Sequence, residues 1–83
     1  MENIINYIIE NDIKTAELKI LKFLYDNRRS KKTHIENGCG INFYQVKLFL
    51  PKLIKLGLVK EEDNLYTIDK KNKTIIKLFE DIV

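Results

Sequence analysis

Apolar residues near the start of the chain recur every three or four positions, the spacing of one face of a helix. The first cluster predicts a helix over residues 2–11, and its apolar members are Ile4, Ile5, Tyr7, Ile8 and Ile9. The second predicts a helix from Thr15, as its N-cap, to about Asn27. Its apolar stripe consists of Ala16, Ile20, Leu21 and Leu24, widened by Phe23. Both segments therefore have a face to bury.

The centre of the chain predicts a short helix, a glycine-containing turn and a longer helix. The short helix spans about Lys32 to Asn37 and ends at Gly38, where a left-handed residue causes no strain. A tight turn, Cys39-Gly40-Ile41, leads to Asn42, a good N-cap for a helix over about 43–56. The residues that this helix is expected to bury are Phe43, Val46, Leu50 and Leu53. Pro51 removes one backbone hydrogen bond and predicts a bend.

Two short strands and a closing helix follow Gly57. Leu58–Lys60 and Leu65–Ile68 predict a hairpin around an acidic turn over residues 61–64. Residues 69–83 predict the last helix, with apolar positions Ile75, Ile76, Leu78, Phe79, Ile82 and Val83.

The order of these elements predicts an α+β, mostly helical fold, a winged helix-turn-helix with a two-stranded wing. We expect one domain over residues 1–83, a size that suits a single core. It comprises an N-terminal helical extension (1–12), a winged helix core (15–68) and a C-terminal helix (69–83).

Charge is distributed unevenly along the chain, although its net value is only +3. Residues 1–13 carry −3, residues 14–60 carry +8 and residues 61–83 carry −2. A basic block between acidic ends favours a polyanion docked on the middle of the chain. The alternative is a lysine-rich surface that is merely solvated.

Composition excludes several classes of protein. The single cysteine, Cys39, cannot form an internal disulfide, which indicates a reducing compartment, the cytoplasm or, for a viral chain, the host cytoplasm. If the chain binds DNA, we expect it to be associated with the nucleoid. No apolar run is long enough to span a membrane, and no basic segment precedes the first apolar cluster as in a signal peptide. Cys39 and His34 alone make no zinc site, and no catalytic grouping stands out. We therefore expect no enzyme, no metal, no cofactor and no small-molecule ligand.

The helix predicted over 43–56 carries the candidate contacts to DNA. Gln45 could pair with an adenine edge, and Lys47 or Lys52 could neutralise phosphates. Four cations, with the first turn of the short helix, add a second group suited to phosphate binding. The complete set is Arg28, Arg29, Lys31, Lys32, Thr33, His34, Asn42, Tyr44, Gln45, Lys47, Lys52 and, on the wing, Lys60. The alternative is that Asn42 only caps, Tyr44 only packs and the lysines only solubilise.

A family resemblance rests on residues 33–59 and, more weakly, on Tyr66, Ile68 and residues 71–73. The segments that carry it are Thr33-His34-Ile35, Ile41-Asn42-Phe43-Tyr44-Gln45, Leu50, Leu53 and Leu56-Gly57-Leu58-Val59. Over about residues 15–80 the chain resembles the archaeal winged-helix family of the small Sulfolobus ten-kilodalton chromatin proteins. The resemblance implies a homodimer that binds double-stranded DNA, with the longer helix in the major groove and the wing along the backbone. Asn72 stands where that family usually has glycine, in a position that suits a left-handed residue.

Two further expectations concern protein contacts. Leu48, on the outward centre of the helix over 43–56, favours an alternative function, a winged helix that binds a protein partner. The terminal helices are more apolar than a surface helix requires, which predicts that they pair in a homodimer. The expected interface residues are Ile5, Ile9, Ile75, Leu78, Phe79 and Ile82. In the alternative, both ends fold back onto their own domain.

Overall fold

The computed structural model describes residues 4–80, which form five helices and one two-stranded antiparallel sheet. The elements are α1 (Ile4–Glu10), α2 (Thr15–Asp26), α3 (Lys32–Cys39), α4 (Phe43–Lys55), β1 (Val59–Glu62), β2 (Leu65–Ile68) and α5 (Lys73–Phe79). This order confirms the predicted α+β, mostly helical, winged helix-turn-helix fold.

The core lies between α2, α3, α4, the hairpin and α5, and each contributes fully or almost fully buried apolar side chains. These are Ile20, Leu21, Leu24, Ile35, Val46, Leu50, Leu53, Leu58, Val59, Tyr66, Ile68 and Ile75. Because Val46, Leu50 and Leu53 follow helical spacing, their burial turns the opposite face of α4 outward.

The left-handed residue that ends α3 lies two positions later than the sequence suggests. Gly38 does not end α3; the helix continues to Cys39, and Gly40 takes the left-handed conformation with φ 68°. Gly38 is required for another reason, because a Cβ at this position would overlap the ring of Phe23 on α2. Absence of a side chain there lets α3 pack closely against α2.

The first turn of α4 confirms Asn42 as its N-cap. The Asn42 side chain accepts a hydrogen bond from the backbone N–H of Gln45 at 2.8 Å, and the Gln45 side chain accepts from the backbone of Asn42 at 3.4 Å. This reciprocal pair is a capping box. Pro51 lies inside the helix as predicted. The expected burial of Phe43 is wrong, since its side chain stands at the helix start and is 40% exposed.

The hairpin turn is shorter than predicted. β1 extends to Glu62, so only Asp63 and Asn64 connect the strands, both with positive φ (54° and 63°). Two such residues suit a type I′ turn, which matches the twist of an antiparallel hairpin. Ser30, before α3, pairs with Tyr66 through two backbone hydrogen bonds of 3.0 and 2.8 Å. This bridge ties the α2–α3 connection to β2.

The start of α2 also differs by one residue from the prediction. Lys14, not Thr15, is the N-cap, and its backbone N–H donates to the Glu17 side chain at 2.9 Å. Glu17 is fully buried, unlike most glutamates. The helix start is therefore fixed by a carboxylate three residues into α2.

The two terminal helices, α1 and α5, contact each other within the chain. Asn72 is not left-handed as expected; it has φ −67° and caps α5, where its side chain accepts from the backbone N–H groups of Thr74 and Ile75. Ile75 was expected at a dimer interface, but its side chain is fully buried in its own core. Leu78 and Phe79 are half-buried, and Phe79 stacks on Tyr25 with ring centroids 4.6 Å apart. Ile82 lies outside the described residues.

Candidate nucleic-acid interface

The outward face of α4 presents a mixed cationic and apolar stripe. Its residues are Tyr44, Lys47, Leu48, Pro51 and Lys55, which are all exposed. Residues three or four apart share one helical face, as Tyr44 does with Lys47 and Leu48, and Pro51 with Lys47, Leu48 and Lys55. The side chains of Tyr44 and Leu48 are 76% and 59% exposed, because the buried residues of α4 occupy its other side.

A cleft separates this face from the start of α3 and from the hairpin. Its two adjoining parts share Lys32 and Tyr66; one also contains Lys31, Phe43 and Asn64, and the other contains Lys47, Pro51 and Lys55 together with the acidic Glu61. The Lys32 ammonium lies 5.8 Å from the centroid of the Tyr66 ring. The structure therefore brings Lys31 and Lys32, at the start of α3, and two lysines of α4, Lys47 and Lys55, to the same cleft.

Tyr66 forms part of the cleft wall and is almost fully buried. Its hydroxyl donates a hydrogen bond to Glu61 at 3.0 Å. Burial, together with this hydrogen bond and the negative charge of Glu61, raises the pKa of Tyr66 to about 12. Its hydroxyl therefore stays protonated at neutral pH and holds the Glu61 carboxylate against β2.

The run of four cations within residues 28–32, which ends at the first residue of α3, is divided by the Ser30–Tyr66 bridge. Arg28 and Arg29 line a separate depression with Thr67, Ile68 and Lys70, whereas Lys31 and Lys32 line the cleft. All but the half-buried Lys32 are exposed. The run is therefore split between two separate depressions of the surface.

The start of α3 adds backbone donors to the rim of the cleft. Its N-cap is Lys31, and no side chain caps the helix. Thr33 and His34 are exposed in the first turn. Uncapped amide groups at a helix start attract phosphate oxygens, so this end supports the expected contact.

Three of the expected contact residues are engaged within the fold. Asn42 and Gln45 form the capping box, and Gln45 is half-buried. The Lys52 ammonium donates to the carbonyl oxygen of Asp12 at 2.7 Å and to Glu17 at 3.1 Å. Lys52 therefore does not belong to the outward stripe. Because its ammonium group is held by Asp12 and Glu17, we do not propose that it contacts a phosphate.

The hairpin carries little positive charge. Lys60 is exposed and lies 3.9 Å from Asp69, while Glu61, Glu62 and Asp63 are exposed on β1 and the turn. A surface with this charge repels phosphates. The wing is thus the part of the expected interface that its electrostatics supports least.

Lys55 and Lys70 are the cations that sequence reasoning missed. Lys55 lies on the outward stripe of α4, seven residues after Leu48, and this spacing is the signal that could have found it. Lys70 has no comparable signal, since only the fold places it beside Arg28 and Arg29.

Residues 4–80 give no support to a metal site, a membrane span or a reactive cysteine. This part of the chain holds no group of three or more metal-ligating side chains, and none of its helices is long and apolar enough to cross a membrane. Cys39 is half-buried, and its thiol donates to the Lys19 carbonyl oxygen at 3.4 Å. Burial raises the pKa of this thiol, so the reactive thiolate is disfavoured.

Comparison with known proteins identifies the family. Residues 4–83 match the winged helix-turn-helix family. The match spans nearly the whole chain, which therefore belongs to this family. None of the curated proteins matches the chain. Domains of this family typically bind DNA and typically have no enzymatic activity. DNA binding agrees with the exposed lysines on the outward face of α4.

Proposed function

We propose that this protein binds double-stranded DNA, as a transcriptional regulator or a small chromatin-type protein, and presents α4 to the major groove. The observation that supports this most is the cleft whose rims carry Lys31 and Lys32 on one side and Lys47 and Lys55 on the other. A groove-bound α4 would place these ammonium groups toward the phosphates that border the groove. With this function, the protein would be located in the cytoplasm, bound to the nucleoid.

The charge of the hairpin modifies the docking that the family resemblance implies. Glu61, Glu62 and Asp63 favour a wing held away from the phosphates, so most of the electrostatic contact falls to α4 and to the start of α3. Arg28, Arg29 and Lys70, on the other side of the Ser30–Tyr66 bridge, would meet a neighbouring stretch of backbone if the duplex bends toward them.

Titration of a labelled mixed-sequence duplex at several salt concentrations tests the proposal. Four phosphate contacts per chain contribute about −3 to −4 per bound chain to the slope of log affinity against log salt, so a bound homodimer should give about twice that value. Lys31→Ala with Lys47→Ala should weaken binding to every sequence and reduce the slope by about 2 per bound chain. Lys22→Ala removes an exposed lysine of α2 and should change neither quantity. Absence of binding at low salt would refute the proposal.

A second candidate function is a winged helix that binds a protein partner through α4. The observation that favours it is the exposure of Tyr44 and Leu48 at the centre of the outward face, since adjoining apolar side chains suit protein interfaces. The same titration separates the two candidates, because this one requires no salt-dependent affinity for duplex DNA.

We also propose that the protein acts as a homodimer through α1. Ile5 and Ile9 lie four residues apart on one face and are 61% and 70% exposed. Burial of such side chains against a second copy is favourable. Pairing through α1 would hold the acidic ends of the chain away from the basic face of α4.

A further inference from the structure

The centre of the outward face of α4 is apolar, although cations surround it. Leu48 and Tyr44 lie one turn apart, and Phe43, also exposed, adjoins them at the helix start. Lys47 and Lys55 share the same face, and the Lys47 ammonium lies 5.8 Å from the centroid of the Phe43 ring. A helix docked in the major groove directs this region toward the edges of the bases.

Amide side chains free to read adenine through two hydrogen bonds do not occupy this face within the described part of α4. The amide oxygen of Asn42 accepts from the Gln45 backbone, and that of Gln45 accepts from the Asn42 backbone. The face is left with ammonium groups, the Tyr44 hydroxyl and the hydrocarbon of Leu48 and Pro51. Adenine recognition by a bidentate amide is therefore disfavoured.

Only one unmodified base offers an apolar group in the major groove: thymine, through its C5 methyl. We propose that Leu48, flanked by Tyr44, binds thymine methyl groups, so the protein prefers duplexes rich in A·T pairs. This inference rests on the proposed binding of α4 to DNA. The lysines around Leu48 support a nucleic acid as the occupant of this surface, since their charges complement phosphates.

Substitution of thymine by deoxyuridine tests the assignment, since it removes only the methyl group. The probes are an alternating adenine–thymine duplex and the same duplex with deoxyuridine, titrated at one low salt concentration. We expect the natural chain to bind the thymine duplex more tightly, by about fourfold for each methyl group buried. A guanine–cytosine duplex should gain affinity when 5-methylcytosine replaces cytosine, because its methyl occupies the equivalent position.

Two variants assign the effect to a side chain. Leu48→Ala should bind the thymine and uridine duplexes equally, to within about twofold, and Leu48→Met should retain most of the preference because it retains the hydrocarbon. Lys47→Ala, the matched control one residue earlier, should weaken both duplexes alike and keep the preference. Leu48 is exposed, so its replacement should leave the helical circular dichroism unchanged.

Several outcomes would overturn the inference, and they are separable from failure of the proposed function. Equal, measurable binding of both duplexes by the natural chain refutes methyl recognition while DNA binding stands. A preference that persists in Leu48→Ala assigns it to duplex shape or to another residue. Loss of self-association in Leu48→Ala, without a change in preference, assigns the surface to a second copy. Absence of binding to any duplex refutes the proposed function itself.

Discussion

The ammonium group of Lys52 lies 3.1 Å from a carboxylate oxygen of Glu17, whose side chain has no exposure to solvent. The same oxygen accepts from the Lys14 backbone, and the same ammonium donates to the Asp12 carbonyl. One ion pair thus joins α4 to the start of α2 and to the turn after α1. It fixes the helix that we propose as the DNA-binding element to the rest of the fold.

Loss of Lys52 should therefore be costly. Lys52→Met leaves the Glu17 carboxylate buried without its cation, and we expect the free energy of unfolding to fall by about 2–4 kcal/mol. Adding Glu17→Gln should recover much of the loss, since a neutral amide can still accept from Lys14 and needs no cation. Urea denaturation measures both effects.

The matched control for this pair is Lys22→Met, which breaks the exposed pair between Lys22 and Asp26 on α2. Pairs of this kind contribute little, so the change should stay below about 0.5 kcal/mol. A Lys52→Met chain as stable as Lys22→Met would show that the Glu17–Lys52 pair does not hold α4.

Gly38→Ala should destabilise the protein, although alanine is the better helix former. The new methyl would overlap the Phe23 ring, and displacement of a half-buried ring should outweigh the gain in helix propensity, for a net loss of about 1–3 kcal/mol. Phe23→Leu in the same chain should relieve the overlap. Gly40→Ala meets no atom within 4 Å but strains a left-handed residue, so Phe23→Leu should not rescue it. Thermal unfolding of the four variants distinguishes packing from backbone strain.

Stability should fall above pH 10 because of Tyr66. The folded protein holds the pKa of this phenol at about 12, above the usual 10.0, so the unfolded chain loses its proton first. Between these values the unfolded state binds fewer protons, and stability decreases as pH rises. A pKa shift of this size corresponds to a loss of at most about 3 kcal/mol in the free energy of unfolding. Denaturant unfolding of Tyr66→Phe should show a flatter alkaline decline than the natural chain, and parallel declines would contradict the expectation.

The periodic parts of the chain were predictable, and the boundaries set by single contacts were not. Val46, Leu50 and Leu53 indicated both the position of α4 and its buried face, because helical spacing depends only on local sequence. Asn42 was recognisable as a cap for the same reason. The end of α3 was misplaced because both Gly38 and Gly40 could end a helix, and only the position of Phe23 distinguishes them.

The sequence predicted many of the residues of the candidate site, but not how they are arranged in space. Tyr44, Lys47 and Leu48 follow from the face that α4 leaves exposed, so local spacing predicted them. The role of Lys52 in an internal ion pair could not be predicted, because its partner Glu17 is distant in sequence. Glutamates are also rarely buried, so nothing in the sequence indicated a buried partner. The separation of Arg28 and Arg29 from Lys31 likewise depends on the bridge between Ser30 and Tyr66.

The proposed homodimer interface should be tested on α1 and not at the C-terminal positions that the sequence suggested. Phe79 stacks on Tyr25 and Ile75 lies in the core, so a charge at either position would disturb the fold of a single chain. Ile5 and Ile9, by contrast, are largely exposed on α1, while this helix contacts α5 in the same chain. A double variant, Ile5→Asp with Ile9→Asp, therefore addresses pairing without removing core packing.

Sedimentation at micromolar concentration should give the natural chain about twice its monomer mass of 9.9 kDa, and the double variant the monomer mass. Asn6→Asp, which adds a like charge at another exposed position of α1, should leave the dimer largely intact. A natural chain at 9.9 kDa would mean that the ends fold only onto their own domain. A dimer that survives the double change would place the interface elsewhere. Since a dimer doubles the number of phosphates neutralised per complex, the double variant should also bind duplex DNA with about half the salt slope.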